Sequence, residues 1–120
     1  MPKYVLSSAA ETDIEGILAW TEEHFGESAR LRYEALLVQA IIDVGSDPHR
    51  AGCQARPEIA RSASTYHLFF SRNNVHSAVG RVKRPRHFLL FRMADQGCVE
   101  IARVLHDSME LARHLPPDME

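Results

Sequence analysis

No stretch of this sequence is both long and apolar enough to span a bilayer, which takes about 20 residues of that kind. Met1 to Leu6 holds no signal-peptide core, so a cytoplasmic protein is expected. Cysteine is scarce: Cys53 and Cys98 stand alone, which excludes a disulfide framework and suits two reduced thiols in the cytosol. Neither C-x-x-C nor H-x-x-x-H spacing occurs among the two cysteines and seven histidines. No metal or other cofactor is therefore expected. Gly-x-Ser-x-Gly, the P-loop and Gly-x-Gly-x-x-Gly are also missing, which leaves hydrolase and nucleotide-binding chemistry of those kinds without support.

What remains is an ordinary globular composition, 45% hydrophobic and 25% charged over 120 residues, sufficient for one domain spanning 1–120 with one core. The net charge is only −2, but it is unevenly laid out. Residues 1–49 hold nine acids against Lys3, Arg30 and Arg32, and residues 50–92 hold nine cations against Glu58 alone. Residues 93–120 hold six acids against Arg103 and Arg113. A basic middle of this kind is either one positive face for an anionic partner or a set of solvated loops around a sheet.

Lys3 to Leu6 reads as a strand. Ser8 with Glu11 matches a capping box, and Ile14, Ile17, Leu18, Thr21 and Phe25 then recur at helical spacing until Gly26. Trp20 falls off that stripe, so it is either covered by another element or offered to a partner. Glu27 opens a second helix with Ala29, Tyr33, Leu36, Leu37, Ala40, Ile41 and Val44 on one face, closed by Gly45 and Asp47-Pro48. With so short a link the two helices fold back as an antiparallel hairpin, and its apolar side needs a sheet. Gly45 to Ser64 reads as a long loop, Thr65 to Ser71 as a strand, and Arg72 to Arg86 as a basic connection with room for a short strand at Val79 to Val82.

The strongest signal lies later. His87 to Met93 and Cys98 to Leu105 are two strand-like runs flanking Ala-Asp-Gln-Gly, a hairpin turn with Gly97 free to take positive φ. The first run is apolar on both faces, as a mid-sheet strand is. In the second, Val99, Ile101 and Arg103 alternate with Cys98, Glu100, Ala102 and Val104. Asp107 to Leu115 has the pattern of a short helical tail ended by Pro116-Pro117. The fold class expected is α+β: an N-terminal strand, then an antiparallel two-helix hairpin packed on a small, mainly antiparallel sheet, then the helical tail. Chemically, Arg92, Arg103 and His106 form the set to weigh. In an RNase the arginines would bind a phosphate and His106 would move a proton. A second proton-transfer group near His106 is missing, and the alternative is that Arg103 and His106 serve the fold.

In order and spacing, Leu6-Ser7, Asp13-Ile14, Phe25-Gly26, Asp47-Pro48, Phe91-Arg92 and Arg103-Val104-Leu105-His106-Asp107-Ser108-Met109 resemble the toxins of the RelE/ParE superfamily. The Arg72–Arg86 connection and the extension after Asp107 are longer than is usual there. The ending, and the missing second acid or base, are similar to the ParE-like branch. That resemblance implies a toxin with no catalytic residues, which binds and poisons DNA gyrase and is neutralised by a ParD-like antitoxin in a hetero-oligomer. The alternative it leaves is a RelE-like, ribosome-dependent mRNA endoribonuclease using Arg92, Arg103 and His106. Under the first reading the target-binding residues are Arg103, His106, Met109, Leu111 and Arg113. The antitoxin would dock on the helical hairpin at Trp20, Leu31 and Leu37, and the acidic N-terminal half would favour Arg or Lys in that partner. Direct contact with nucleic acid stays open.

Overall fold

The computed structural model describes residues 3–108, with the side chains of Ser77 and Gln96 excepted. Strand β1 (Tyr4–Leu6) is followed by helices α1 (Ser8–Phe25) and α2 (Glu27–Ser46). Strands β2 (Gln54–Ala55), β3 (Ser64–His67), β4 (His87–Met93) and β5 (Val99–His106) complete the sheet. Its order is β1-β5-β4-β3-β2, with β1 parallel to β5 and every other neighbour antiparallel. The expected α+β architecture is therefore present. The tail expected over Asp107 to Leu115 lies, beyond Ser108, outside the described residues.

The helices pack as their stripes require. Leu36, Leu37, Ala40 and Val44 of α2 are buried against Leu89, Phe91, Val99 and Ile101 of the sheet. Gly26, at φ +93°, turns one helix into the next, a backbone state that a side chain would strain. Helix α1 begins one residue earlier than the capping box suggested. Ser7 is the cap: its Oγ accepts from the Ala10 amide and donates to the Ala102 carbonyl at 2.7 Å. The hydroxyl that starts the helix thus also fastens it to β5. Gly45 does not close α2; it lies within the helix and lets Tyr4 of β1 approach to 3.0 Å of where a Cβ would stand.

Strand β4 is central, as its two-sided apolar run indicated. One face meets the helices; on the other, Leu90 and Ala102 are covered by Ala60 and Ala63 from the loop before β3. That loop is not featureless, since Gln54–Ala55 pairs with Ser64 and Thr65. The run Thr65 to Ser71 is strand only to His67; Leu68–Ser71 curls into a 3₁₀ turn. Its reason is visible in Ser71, fully buried, which donates to Asp43 at 2.6 Å while Tyr66 lies 2.8 Å away. The short strand expected at Val79 to Val82 does not form. Ser77–Val79 is a 3₁₀ turn, and the segment runs on without a sheet partner.

The simple alternation expected along β5 also fails, and the cause is a bulge. Phe91 pairs with Ile101 but Leu90 pairs with Arg103, so Ala102 is an extra residue. Val104 consequently joins Val99 and Ile101 in the core under the helices instead of facing away. Beyond Leu6, β5 has lost its β1 neighbour, and α1 takes over that edge. Asp13 accepts from the Val104 amide at 2.9 Å and from Arg103 through Nε at 2.7 Å and Nη2 at 2.9 Å. One carboxylate thus satisfies a strand amide and a partly buried guanidinium together, and it raises the pKa of Arg103 further.

Removing that carboxylate leaves the Val104 amide without its acceptor and takes from Arg103 the two hydrogen bonds it makes to Asp13. Asp13→Ala is expected to cost about 3 kcal/mol in urea unfolding. A cost below about 0.5 kcal/mol would show that α1 docks without it.

Candidate functional site

Helix α1, the start of α2 and the ends of β4 and β5 enclose an open groove of about 870 Å³. Its apolar lining includes Ile17, Trp20, Phe25, Val82 and Leu105. Among the described residues its charged lining is four guanidiniums, Arg32, Arg84, Arg86 and Arg103, against the single carboxylate of Asp13. His87 and His106 stand at the sheet end of the groove.

The bulge brings those two histidines together. Counted from the Asp95–Gly97 turn, Met93 pairs with Val99, and an unbroken ladder would set His87 opposite Leu105; the extra Ala102 sets it opposite His106. Their rings meet edge to face at 5.3 Å. From α2, Tyr33 closes the other side: its hydroxyl lies 2.6 Å from His87 Nδ1 and accepts from the Arg86 amide at 3.2 Å. Every partner is satisfied when Tyr33 donates to Nδ1, which leaves the His87 proton on Nε2. Burial, with the neighbouring His106, pushes His87 down to about 4, and burial pushes Tyr33 up to about 12. His87 is thus a neutral acceptor at physiological pH.

Beside this pair, Asp107 clasps three strand ends. Arg86 reaches it with Nε at 3.1 Å and Nη2 at 2.9 Å, and His67 with Nε2 at 3.1 Å. The Phe69 amide donates to His67 Nδ1, so Nε2 carries the proton given to Asp107. The Arg86 hydrogen bonds hold the Asp107 carboxyl down at about 2. His106 Nδ1 accepts from the Ser108 amide at 3.1 Å and lies 2.7 Å from the Ser108 hydroxyl.

The three residues weighed for RNA cleavage are not assembled. Arg92 pairs across the hairpin with Glu100 at 2.6 Å, on the face away from the helices. Five residues of β4 separate its register from that of His106, roughly 16 Å along the strand. Arg103 and His106 do share the groove, but Arg103 is engaged by Asp13. Met109, Leu111 and Arg113 lie outside the described residues.

Of the three residues suggested for the antitoxin, only Trp20 lines the groove. It is 54% exposed and stacks on His24 at 4.2 Å, so it is not tucked under the Gly45–Ser64 loop. Leu31 is exposed on α2 away from the groove lining, and Leu37 is 1% exposed in the core. Of the acids of the N-terminal half, only Asp13 lines the groove, beside the four arginines. The basic middle is not a single face: Arg50 meets Asp43, Arg56 meets Glu58 and Arg72 lies over Phe69 at 3.4 Å. Sequence reasoning missed Arg32, Tyr33, Arg84 and Arg86 as groove residues. The run Arg84-Pro85-Arg86-His87 entering a strand was the available signal.

A helical hairpin laid on a small mixed sheet, with an Arg-Val-Leu-His strand end beside it, is the arrangement expected of RelE/ParE-like toxins. A family model described as "ParE toxin of type II toxin-antitoxin system, parDE" matches residues 4–111. The chain is 28% identical over 100 residues to Toxin ParE of Escherichia coli, a match covering 80% of this chain and 97% of that protein. It is 26% identical over 113 residues to Toxin ParE1 of Mycobacterium tuberculosis, covering 94% and 97%. The chain belongs to the ParE toxin family of type II toxin–antitoxin systems. Among the described residues, no helix is long and apolar enough to cross a membrane.

Two outcomes follow from the groove. Because His87 binds its proton more weakly folded than unfolded, stability falls as pH drops from about 6.5 through about 4, by about 3 kcal/mol at most. Urea unfolding of the wild type and of His87→Gln at pH 7, 5.5 and 4.5 measures this as the difference in slope; parallel slopes would contradict it. Trp20→Ala, at an exposed position, is expected to change stability by less than about 1 kcal/mol. A larger loss in the same assay would mean that Trp20 is structural.

Proposed function

We propose that this chain is the toxin of a type II pair that acts by binding and poisoning DNA gyrase, without catalysing a reaction itself, and that a ParD-like antitoxin neutralises it. The observation that carries the choice of binding over cleavage is the separation of Arg92 from His106, with Arg92 facing Glu100 and Arg103 facing Asp13. Phosphate binding and proton transfer at one scissile bond need groups within hydrogen-bond reach of the same atoms. Guanidiniums committed to carboxylates on two different elements, Glu100 of β5 and Asp13 of α1, do not provide that.

Family membership supports the toxin–antitoxin setting, and the relatives' names agree with it. Trp20, chosen as an antitoxin anchor, and Arg103 with His106, chosen as target-binding residues, line one groove. An antitoxin segment lying there would cover the very side chains that a target meets, so neutralisation would be direct occlusion. One observation favours the second reading, RelE-like mRNA cleavage: His87 and His106 meet edge to face beside Arg86, a concentration of proton-transfer groups at one strand end.

Purified protein incubated with gyrase and plasmid, and separately with translating ribosomes, distinguishes the two. Gyrase-linked double-strand breaks with intact messenger RNA are expected, and His106→Ala should weaken breakage about tenfold. Codon-phased messenger cuts that vanish in His106→Ala, with supercoiling untouched, would establish the enzyme instead.

A further inference from the structure

We infer that the turn after β3 is a second surface, which binds single-stranded DNA: the Phe69 and Phe70 rings take unstacked bases, and Arg72 and Arg81 meet the phosphates. The inference rests on the proposed gyrase target, which makes DNA rather than RNA the strand. It concerns a place apart from the groove, whose lining includes none of these four residues.

The turn itself puts the rings outside. Leu68–Ser71 is a 3₁₀ turn, in which residues three apart share a face. Leu68 and Ser71 are both fully buried, Ser71 by its hydrogen bond to Asp43, so the two residues between them are turned outward. Phe69 is 41% exposed and Phe70 47%, yet both rings are braced. Phe70 lies against Gly52, where a Cβ would come within 2.6 Å of the ring, and 5.8 Å from Tyr66. Phe69 stands edge to face with Phe70 at 5.9 Å, and the Arg72 guanidinium covers one of its faces at 3.4 Å. Braced aromatic planes of this kind are stacking platforms for any base.

Charge decides what stacks there. Across residues 59–94 the sequence has no acid and seven cations, and two of those arginines are held at the turn by neutral groups. Arg72 donates to the Phe69 carbonyl at 2.8 Å, and Arg81 to Asn73 Oδ1 at 3.3 Å. Such partners aim a guanidinium and leave its charge in place for a phosphate. An apolar protein segment would cover the rings but strip water from the arginines beside them. Duplex DNA would offer phosphates with its bases already stacked. An unpaired strand satisfies rings and arginines together.

Anisotropy of a labelled oligothymidylate of about 12 nucleotides, titrated with the full chain, tests this. Binding is expected to weaken as salt rises, and the matching duplex to bind at least about tenfold less tightly. Phe69→Leu keeps an apolar side chain but loses the ring, so it should weaken binding about tenfold, while Phe69→Tyr preserves it. Arg72→Gln should weaken binding and flatten its salt dependence. Arg30→Gln, which removes the same charge from beside Glu22 at the start of α2, should do neither. Circular dichroism confirms that each variant is folded before it is titrated. Wild-type binding by Phe69→Leu overturns the inference, as does a duplex bound as tightly as the single strand. So does oligouridylate bound about tenfold tighter than oligothymidylate, which would make the strand RNA. Self-association in sedimentation that Phe69→Leu abolishes, without oligothymidylate binding, would make a second copy the occupant and also overturn it. The titration contains no gyrase, so oligothymidylate binding with gyrase left unpoisoned keeps this surface and removes the proposed target. The reverse result keeps the target and removes the surface.

Discussion

The Asp13 carboxylate is the constraint on which this architecture turns. Strand β1 is three residues long, so β5 runs on past Leu6 with an edge that no strand among the described residues covers. An open edge of that kind is both unsatisfied and prone to pair elsewhere. Here a helix covers it: Ser7 binds the Ala102 carbonyl, and Asp13, two turns further along, binds the Val104 amide and Arg103. The bulge at Ala102 is what presents the amide and the guanidinium to one carboxylate. Helix, bulge and strand edge are consequently one device, and the groove is the space left beside it.

The same bulge sets up the chemistry at the far end of the hairpin. It moves the ladder by one residue, so that His87 faces His106 and Tyr33 can close over the pair. The neighbouring clasp of Arg86, His67 and Asp107 ties β3, β4 and β5 where they end. Polar groups are abundant here, yet they mostly serve one another. Arginines that a sequence reader would assign to a phosphate are held by Glu100 and Asp13. A surface on which Arg92 and Arg103 are already engaged is suited to recognition by shape and residual charge, which is how a binding toxin is proposed to work here.

Much of the fold was legible because local signals agreed. The stripe Tyr33, Leu36, Leu37, Ala40, Ile41 and Val44 could only be a buried helix face, and Gly26 could only be a turn. The two-sided apolar run Phe88 to Phe91 placed β4 mid-sheet. What escaped was set by tertiary contacts. Leu68 to Ser71 has strand composition, but burial of the Ser71 hydroxyl against Asp43 curls it. The phase of β5 was lost at Ala102, because a bulge leaves no mark in composition. The candidate site was half legible: Trp20 stood out by leaving its stripe, and Arg103 and His106 by their ending. Arg32 and Tyr33, from a helix read only for its core face, became groove residues through the packing of the hairpin on the sheet.

These strands meet in one claim, that the groove between α1 and the ends of β4 and β5 is the surface through which this ParE-family protein acts and is silenced. Chemical-shift mapping of isotope-labelled protein on adding its antitoxin tests it most directly. The account predicts that the Trp20 indole, the Arg84 and His106 amides and the Leu105 methyls shift together, while Gln54 and Ala55 at the far sheet edge stay still. Shifts confined to that far edge, or to the outer face of α2 at Leu31, Val38 and Ile42, with Trp20 unmoved, would contradict it.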